Sequence, residues 1–351
     1  MQRHVATILS GSRGRFDHTL AASADFFDSL PKAAAEGTDF VRVDIGDRIG
    51  PTAFVQAVRI ARHARRARAD IVHSHGYKAA VPGAIAARLA GTRSIVTGHN
   101  LFPADASRAA KVSMRLAARL SARVIAVAPA LAASLTAAGV DPRKIVTIPN
   151  GVDLSAYGAG SRRSVRAGLN IGDEAPLVFC AARLTEVKGV GYLIRSAALI
   201  SARRPDARVL IAGDGPDRES LRGLARRVAP ESVMFLGHRD DVSDLLAAAD
   251  VVAIPSLAEG HPLILIESMA AGRAIVASRV GGLADTIKDG ENGLLVPPAD
   301  PEALAGAIMS VIERPELAER LGAAARRRAE EKFGADRMIA ATEEVYLCAL
   351  S

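Results

Sequence analysis

Two acids, Glu259 and Glu267, bracket the apolar run Leu263-Ile264-Leu265-Ile266. Pro262 suits the first turn of a helix, where its missing N–H costs nothing, and Gly272 suits the residue just past a helix end. Residues 255–272 therefore read as a loop running into a helix, with Glu259 in the loop and Glu267 on the second turn. The free N–H groups at such a helix start, together with the positive end of its dipole, attract an anion such as a phosphate. Acids beside an anion site make sense as acceptors for hydroxyls of a sugar or ribose. Taken singly, Glu259 is equally a loop charge and Glu267 a solvated helix face. A second candidate cluster is Arg183-Leu184-Thr185-Glu186-Val187-Lys188-Gly189, just after the apolar run at 177–181. Two cations at the carboxyl end of a strand can neutralise a diphosphate, and Gly189 allows a close turn into the next helix. Standing alone, they would be surface charges.

The stretch 255–272 resembles the Glu-x7-Glu element of the family 4 retaining glycosyltransferases, with Glu259 and Glu267 at its acidic positions. The resemblance implies that Glu259 contacts the donor sugar and that Glu267 holds the ribose of a sugar nucleotide. The backbone of Gly260, His261, Pro262 and Leu263 would then lie near the sugar and diphosphate, His261 standing where the family often has an aromatic residue. Arg183 through Gly189 is similar to the family's Arg-x4-Lys-Gly pattern, which makes Arg183 and Lys188 the diphosphate cations. Gly213-Asp214-Gly215-Pro216 resembles the Gly-x-Gly-Pro turn beside the nucleotide. Arg239, with His238, corresponds to the segment near the base. In the first half, Thr97-Gly98-His99-Asn100 resembles the histidine segment that reaches donor sugar or acceptor, and His75 closes another expected strand near the rim. Gly11, in Leu9-Ser10-Gly11-Ser12-Arg13-Gly14, is read as a turn after the first strand whose backbone could approach an anion, although the motif departs from the family's paired glycines.

Elements that position these residues follow from an alternation of short β-rich runs and helical stretches. Strands are expected at 5–9, 40–43, 71–73, 94–97, 124–127 and 145–148, and again at 177–181, 208–212, 233–236, 251–254, 274–277 and 294–296. Helices such as 53–67, 79–89 and 109–120 separate them. This pattern implies parallel sheets with crossover helices, whose ligands bind at the carboxyl ends of strands. The fold class is α/β with two Rossmann-like doubly wound domains, which the resemblance arranges across a crevice (GT-B). Residues 1–157 form the acceptor-side domain and 158–334 the sugar-nucleotide domain, with a hinge in Tyr157-Gly158-Ala159-Gly160-Ser161. The resemblance also implies that a last helix, 335–351, packs back on the first domain.

Composition is that of an ordinary globular chain: 351 residues, 49% hydrophobic and 24% charged, enough for two cores. No apolar run approaches the ~20 residues of a membrane span. The opening, Met1-Gln2-Arg3-His4-Val5-Ala6-Thr7-Ile8-Leu9, turns polar too quickly for a signal peptide, so a cytoplasmic location is expected. Cys180 and Cys348 lack metal-ligand spacing, and Cys180 reads as a small buried strand residue. Charge is uneven: residues 1–160 hold 21 Lys/Arg against 11 Asp/Glu, and the remainder 24 against 27. Two basic sets, Arg59, Arg62, Arg65, Arg66, Arg68 and Arg108, Lys111, Arg115, Arg119, Arg123, fall on expected helices. Such helices either hold anionic lipid headgroups at the inner face of the cell membrane or are simply solvated. Nucleic acid is not indicated, since no Trp, four Tyr and nine Phe are present and no basic run is interleaved with aromatics.

The expected activity is retaining transfer of a hexose-like sugar from a nucleoside-diphosphate sugar to a hydroxyl of a lipid or glycan acceptor. Arg183, Lys188, Glu259 and His99 form the catalytic set. Glu267, Gly189, Gly213, Gly215, Arg239, Gly260, His261, Pro262, Leu263 and Gly11 form the donor-binding set. No Asp-x-Asp occurs, so no metal and no cofactor are expected. Two alternatives stay open: a sugar-nucleotide epimerase or phosphorylase of the same double fold, and a sugar-nucleotide-binding protein without turnover.

Overall fold

The computed structural model describes residues 1–28, 30–44, 51–103, 106–158 and 160–351. The chain divides into two compact units, one of residues 1–151 with 335–351 and one of residues 152–334. The division at Gly151 falls ahead of the expected hinge at 157–161, of which Ala159 lies outside the described residues. Val152 N–H donates to the Phe333 carbonyl at 3.0 Å, and Leu154 and Tyr157 pack on the core of the second unit. Those contacts bind 152–157 to the second unit.

In the first unit, β1 (Thr19–Ala22) and β2 (Asp39–Arg42) pair in a two-stranded parallel sheet. A separate parallel sheet runs in the order β3 (Ile71–His75), β4 (Arg93–Gly98), β5 (Arg123–Ala126), β6 (Ile145–Thr147). The strand expected at 5–9 is instead part of a helix, Gln2–Gly11, that buries His4, Val5, Ala6, Ile8 and Leu9. A five-residue apolar run is compatible with either state, and tertiary packing decides between them. Val5, Ile8 and Leu9 share one helical face, and Ile8 joins Ile95, Ile125 and Ile148. The terminal helix Ala335–Leu350 adds Met338, Ile339, Val345 and Tyr346 to that cluster. β1 was not anticipated, because Thr-Leu-Ala-Ala carries little β-branched signal.

The second unit is built on one six-stranded parallel sheet. Its strands are β7 (Leu177–Ala181), β8 (Arg208–Ala212), β9 (Val233–Gly237), β10 (Val251–Ile254), β11 (Ala274–Ser278) and β12 (Leu294–Val296). Their order is β12-β11-β10-β7-β8-β9. Val/Ile/Leu-rich strands such as β10 are buried throughout, as a sheet covered on both faces requires. Separate apolar clusters fill the two faces, one centred on Phe179, Leu265 and Ile266 and the other on Val178, Leu193 and Ile308. The order reverses between β7 and β10, which makes the loops following those two strands the walls of the switch-point crevice.

The opposite, amino-terminal edge of the sheet is fastened by Arg166, which is fully buried. Its guanidinium donates to carbonyls of Ala248, Gly172, Asp173 and Ala175 and, at 2.8 Å, to Asp250 Oδ2. The same carboxylate oxygen accepts from Leu177 N–H at 2.8 Å, so one arginine braces β7 against β10. Composition gave no hint of this, because one Arg among many carries no mark of burial.

Candidate active site

Arg183, Lys188 and Gly189 lie in the loop after β7, and Glu259 through Pro262 in the loop after β10. Gly189 makes their approach possible. Its φ is +65°, and a Cβ there would sit 1.9 Å from the Pro255 carbonyl oxygen, so any side chain would push the loops apart. Leu257 N–H donates to the Val187 carbonyl at 2.8 Å and stitches the two walls together.

On this frame Lys188 Nζ meets Glu259 Oε1 at 2.6 Å, while Ser256 Oγ donates to the same oxygen at 2.8 Å. The Glu259 side chain is 6% exposed and that of Lys188 is 25%. A buried carboxylate needs such a partner to remain charged. Gly282 N–H also donates to the Glu259 carbonyl at 3.1 Å, tying the loop after β11 to the same point. Ser256 was missed in the sequence, where a lone serine before a proposed site carries no signal.

The helix after β10 spans Leu263–Ala270, with Pro262 as its N-cap rather than within its first turn. No side chain caps the first-turn N–H groups; Leu265 N–H donates to the Pro262 carbonyl at 3.1 Å, and the N–H groups of Leu263 and Ile264 ahead of it point out as donors for an anion. Glu267 is buried on the second turn, and Gly272 follows the helix with φ +65°. His261 is buried, its ring 5.1 Å from that of Phe333. Burial lowers its pKa to about 4, so the ring is neutral near pH 7.

Gly213 and Gly215 bring the loop after β8 onto the loop after β7. A Cβ on Gly213 would lie 1.9 Å from the Ala182 carbonyl oxygen, and one on Gly215 2.3 Å from that of Leu184. Gly213 N–H donates to the Gly237 carbonyl at 2.7 Å. Arg183 is exposed and forms no ion pair among the described residues. Arg239 follows β9, at the sheet edge, and its guanidinium is paired with Asp241 two residues on. Thus Lys188, Gly189, Glu259, Gly260, His261 and the two turn glycines form one neighbourhood, and Arg239 stands two strands from the switch point. Cys180, in β7, is buried, and burial raises its thiol pKa to about 12.

His99 and Gly11 belong to the first unit. Gly11 ends a helix, not a strand, and a Cβ there would lie 2.1 Å from Ile339 Cδ1. Its smallness serves helix packing, which corrects its reading as a turn after the first strand. His99 follows β4, and its Nε2 lies 3.2 Å from His75 Nδ1 at the end of β3. Their rings stack, and His4 packs edge-on against both. His4 was not anticipated, since its role arises only from the helical fold of residues 2–11.

Two family profiles match successive parts of the chain. The one described as "Glycosyltransferase Family 4" covers residues 1–156, and the one described as "Glycosyl transferases group 1" covers residues 161–328. The chain belongs to the group 1 glycosyltransferases. Relatives of this glycosyltransferase family include a D-inositol 3-phosphate glycosyltransferase 2 of Catenulispora acidiphila, 33% identical over 220 residues, 59% of this chain and 51% of that protein. The chain therefore spans about half the length of that relative. An alpha-maltose-1-phosphate synthase of Mycolicibacterium smegmatis is 29% identical over 307 residues, 79% of each protein. Among solved structures, Anabaena Alr3699/HepE in complex with UDP-glucose superposes with a TM-score of 0.87 at 23% identity, covering 99% of this chain and 95% of that one. A glycosyltransferase of Rickettsia africae gives 0.87 at 19% identity, covering 100% and 95%. These likenesses show the α/β GT-B fold of this group 1 glycosyltransferase.

Proposed function

We propose that this protein is a retaining glycosyltransferase that moves a hexose-like sugar from a nucleoside-diphosphate sugar to a hydroxyl, without a metal ion in the reaction. The observation that carries the reading is the Lys188–Glu259 pair, held at the switch point by Gly189 against Pro255. As the bond to the donor sugar breaks, negative charge grows on the diphosphate, and preorganised cations aimed there lower the barrier. Lys188 and the exposed Arg183 supply that charge, and the uncapped N–H groups at Leu263 supply further donors. Glu259, fixed by Lys188 and Ser256, orients the sugar, and Glu267 accepts from the ribose. No protein nucleophile is invoked: the departing phosphate takes the acceptor's proton on the face it leaves.

The complex of HepE with UDP-glucose makes uridine-diphosphate sugars the first donors to test. A lipid-linked or glycan hydroxyl is the proposed acceptor, and the names of the relatives add phosphorylated polyols and sugars to the panel. Thermal denaturation of wild type and Lys188→Ala with nucleotides and sugar nucleotides tests the site. A ligand at a hundred times its Kd adds about 2.7 kcal/mol of stability. One sugar nucleotide should shift the wild type and not the variant. Absence of any shift in the wild type refutes the donor site, and binding without release of the nucleoside diphosphate favours the non-catalytic alternative.

Attachment to an anionic membrane surface at the inner face of the cell membrane is part of the same proposal. Among the described residues no helix is long and apolar enough to cross a membrane. The helix Arg108–Leu120, however, exposes Val112, Leu116 and Leu120 at i, i+4 and i+8 spacing, flanked by Arg108, Lys111, Arg115 and Arg119. An apolar stripe between basic side chains suits an interfacial helix. Salt-sensitive flotation with anionic vesicles, lost in Leu116→Asp, is the expected result, and equal flotation of both proteins removes the proposal.

A further inference from the structure

His4, His75 and His99 each offer a ring nitrogen, and the three nitrogens lie within 4.8 Å of one another. They come from a helix and the ends of two adjacent strands, far apart in the chain, so no spacing motif announces them. Among the described residues this is the single group of three or more His, Cys, Asp and Glu side chains placed closely enough to share an ion. We infer that these histidines form a binding site for a late first-row divalent cation of the zinc class, with the fourth position left to water.

Geometry carries the inference. A tetrahedral ion with bonds of 2.0–2.1 Å to nitrogen holds its ligand nitrogens about 3.3 Å apart. His75 Nδ1 and His99 Nε2 already stand 3.2 Å apart. His4, within 4.8 Å of the other two, closes the set by an approach of up to about 1.5 Å. Its Nδ1 is buried with no hydrogen-bond partner, whereas buried imidazole nitrogens are ordinarily satisfied. His73, the neighbour excluded from the set, has both nitrogens occupied, by Tyr346 Oη and Thr97 Oγ1 at 2.7 Å each.

The protonation state suits the role. Burial, reinforced by the charge at the chain's amino terminus, lowers the His4 pKa to about 4, and burial holds His75 and His99 well below the ordinary histidine range. Protons therefore do not compete with a cation near pH 7. Ligation requires the facing nitrogens of His75 and His99 to be bare. The proton between them moves to the far nitrogen of its own ring, all three rings stay neutral, and no net proton is released. Three imidazoles without thiolate favour zinc, copper, nickel and cobalt over magnesium or calcium.

The test is titration of the full chain with cobalt(II), whose visible absorption reports tetrahedral nitrogen coordination, followed by displacement with zinc. One saturable equivalent is expected in the wild type and in His238→Ala, a surface histidine of the other unit. His4→Ala and His99→Gln should weaken cobalt binding at least about tenfold, since even loss of an outer contact costs 10–100-fold. Absence of a saturable absorption, or wild-type affinity in both variants, overturns the site. Circular dichroism establishes that each variant is folded, and His99→Gln, at a half-buried strand end, decides if His4→Ala is not. On the transferase reading above, a bound ion also withdraws His99 from substrate, so one equivalent of zinc should inhibit transfer reversibly. Cobalt binding without inhibition keeps the metal site and removes His99 from the transfer reaction. Failure of the transferase reading leaves the titration unaffected.

Discussion

Replacing Lys188 by Met tests the centre of the donor site. At the observed 2.6 Å the Lys188–Glu259 pair has an attraction of about 6 kcal/mol at an effective dielectric of 20. Most of that is offset by desolvating the carboxylate, which is nearly buried, while the ammonium remains partly in water. A fully buried pair loses about 3–5 kcal/mol when one partner goes, and an exposed one under about 1 kcal/mol. This half-buried pair should lose about 2 kcal/mol, a fall of about 4–8 °C in Tm for a unit of this size. Glu259→Gln should cost a similar amount, and the double variant should cost far less than the sum, because each single change removes the same interaction. Urea denaturation of the four proteins measures the cycle. In the transfer reaction, loss of one preorganised charge should lower kcat by about 10²–10³, read as nucleoside diphosphate released. Stability losses that add within about 0.5 kcal/mol, or a Lys188→Met enzyme within threefold of wild-type kcat, refute the reasoning.

Gly189→Ala should lose both stability and the thermal shift given by sugar nucleotide, because φ +65° and the Pro255 oxygen at 1.9 Å leave no room for a methyl group. Gly168→Ala, facing open space, is the comparison, and equal behaviour of the two contradicts the account of the loops. Arg166→Met should cost about 3 kcal/mol in chemical denaturation with an unchanged m-value, because the carbonyls of Gly172, Asp173 and Ala175 lose the guanidinium and Asp250 keeps only Arg162 and Leu177 N–H as donors; a loss below about 1 kcal/mol would show that the brace is dispensable. His261 has a folded pKa near 4 against an ordinary 6.5. The unfolded chain thus binds the extra proton between those values, and the His261 contribution is present above pH 6.5 and lost as pH falls to about 4. His261→Gln should flatten the stability profile in that window by up to about 1.4 kcal/mol per pH unit, and an unchanged slope refutes the burial argument.

Much of the second unit was legible before any coordinates. Strand β10 coincides with its apolar run Val251–Ile254, because a strand buried on both faces must be apolar along its whole length, and such runs are hard to mistake. Since parallel sheets bind ligands at their carboxyl ends, the motifs after β7, β8 and β10 were placed near one another by topology alone.

Other features depend on partners distant in the chain. The run at 5–9 satisfies a strand or a helix equally, and Ile95, Ile125 and Ile339 decide for the helix. That choice alone brings His4 to His75 and His99. Arg166 and Lys188 look alike in sequence, yet one is sealed among carbonyls and the other reaches a carboxylate 71 residues away. Local pattern determined which segments are strands and which turns need glycine, because those are matters of backbone sterics and of one face being apolar. Tertiary structure decided which charges and imidazoles are desolvated and paired, because the free energy of a buried polar group is set by the atoms packed around it and not by its neighbours along the chain.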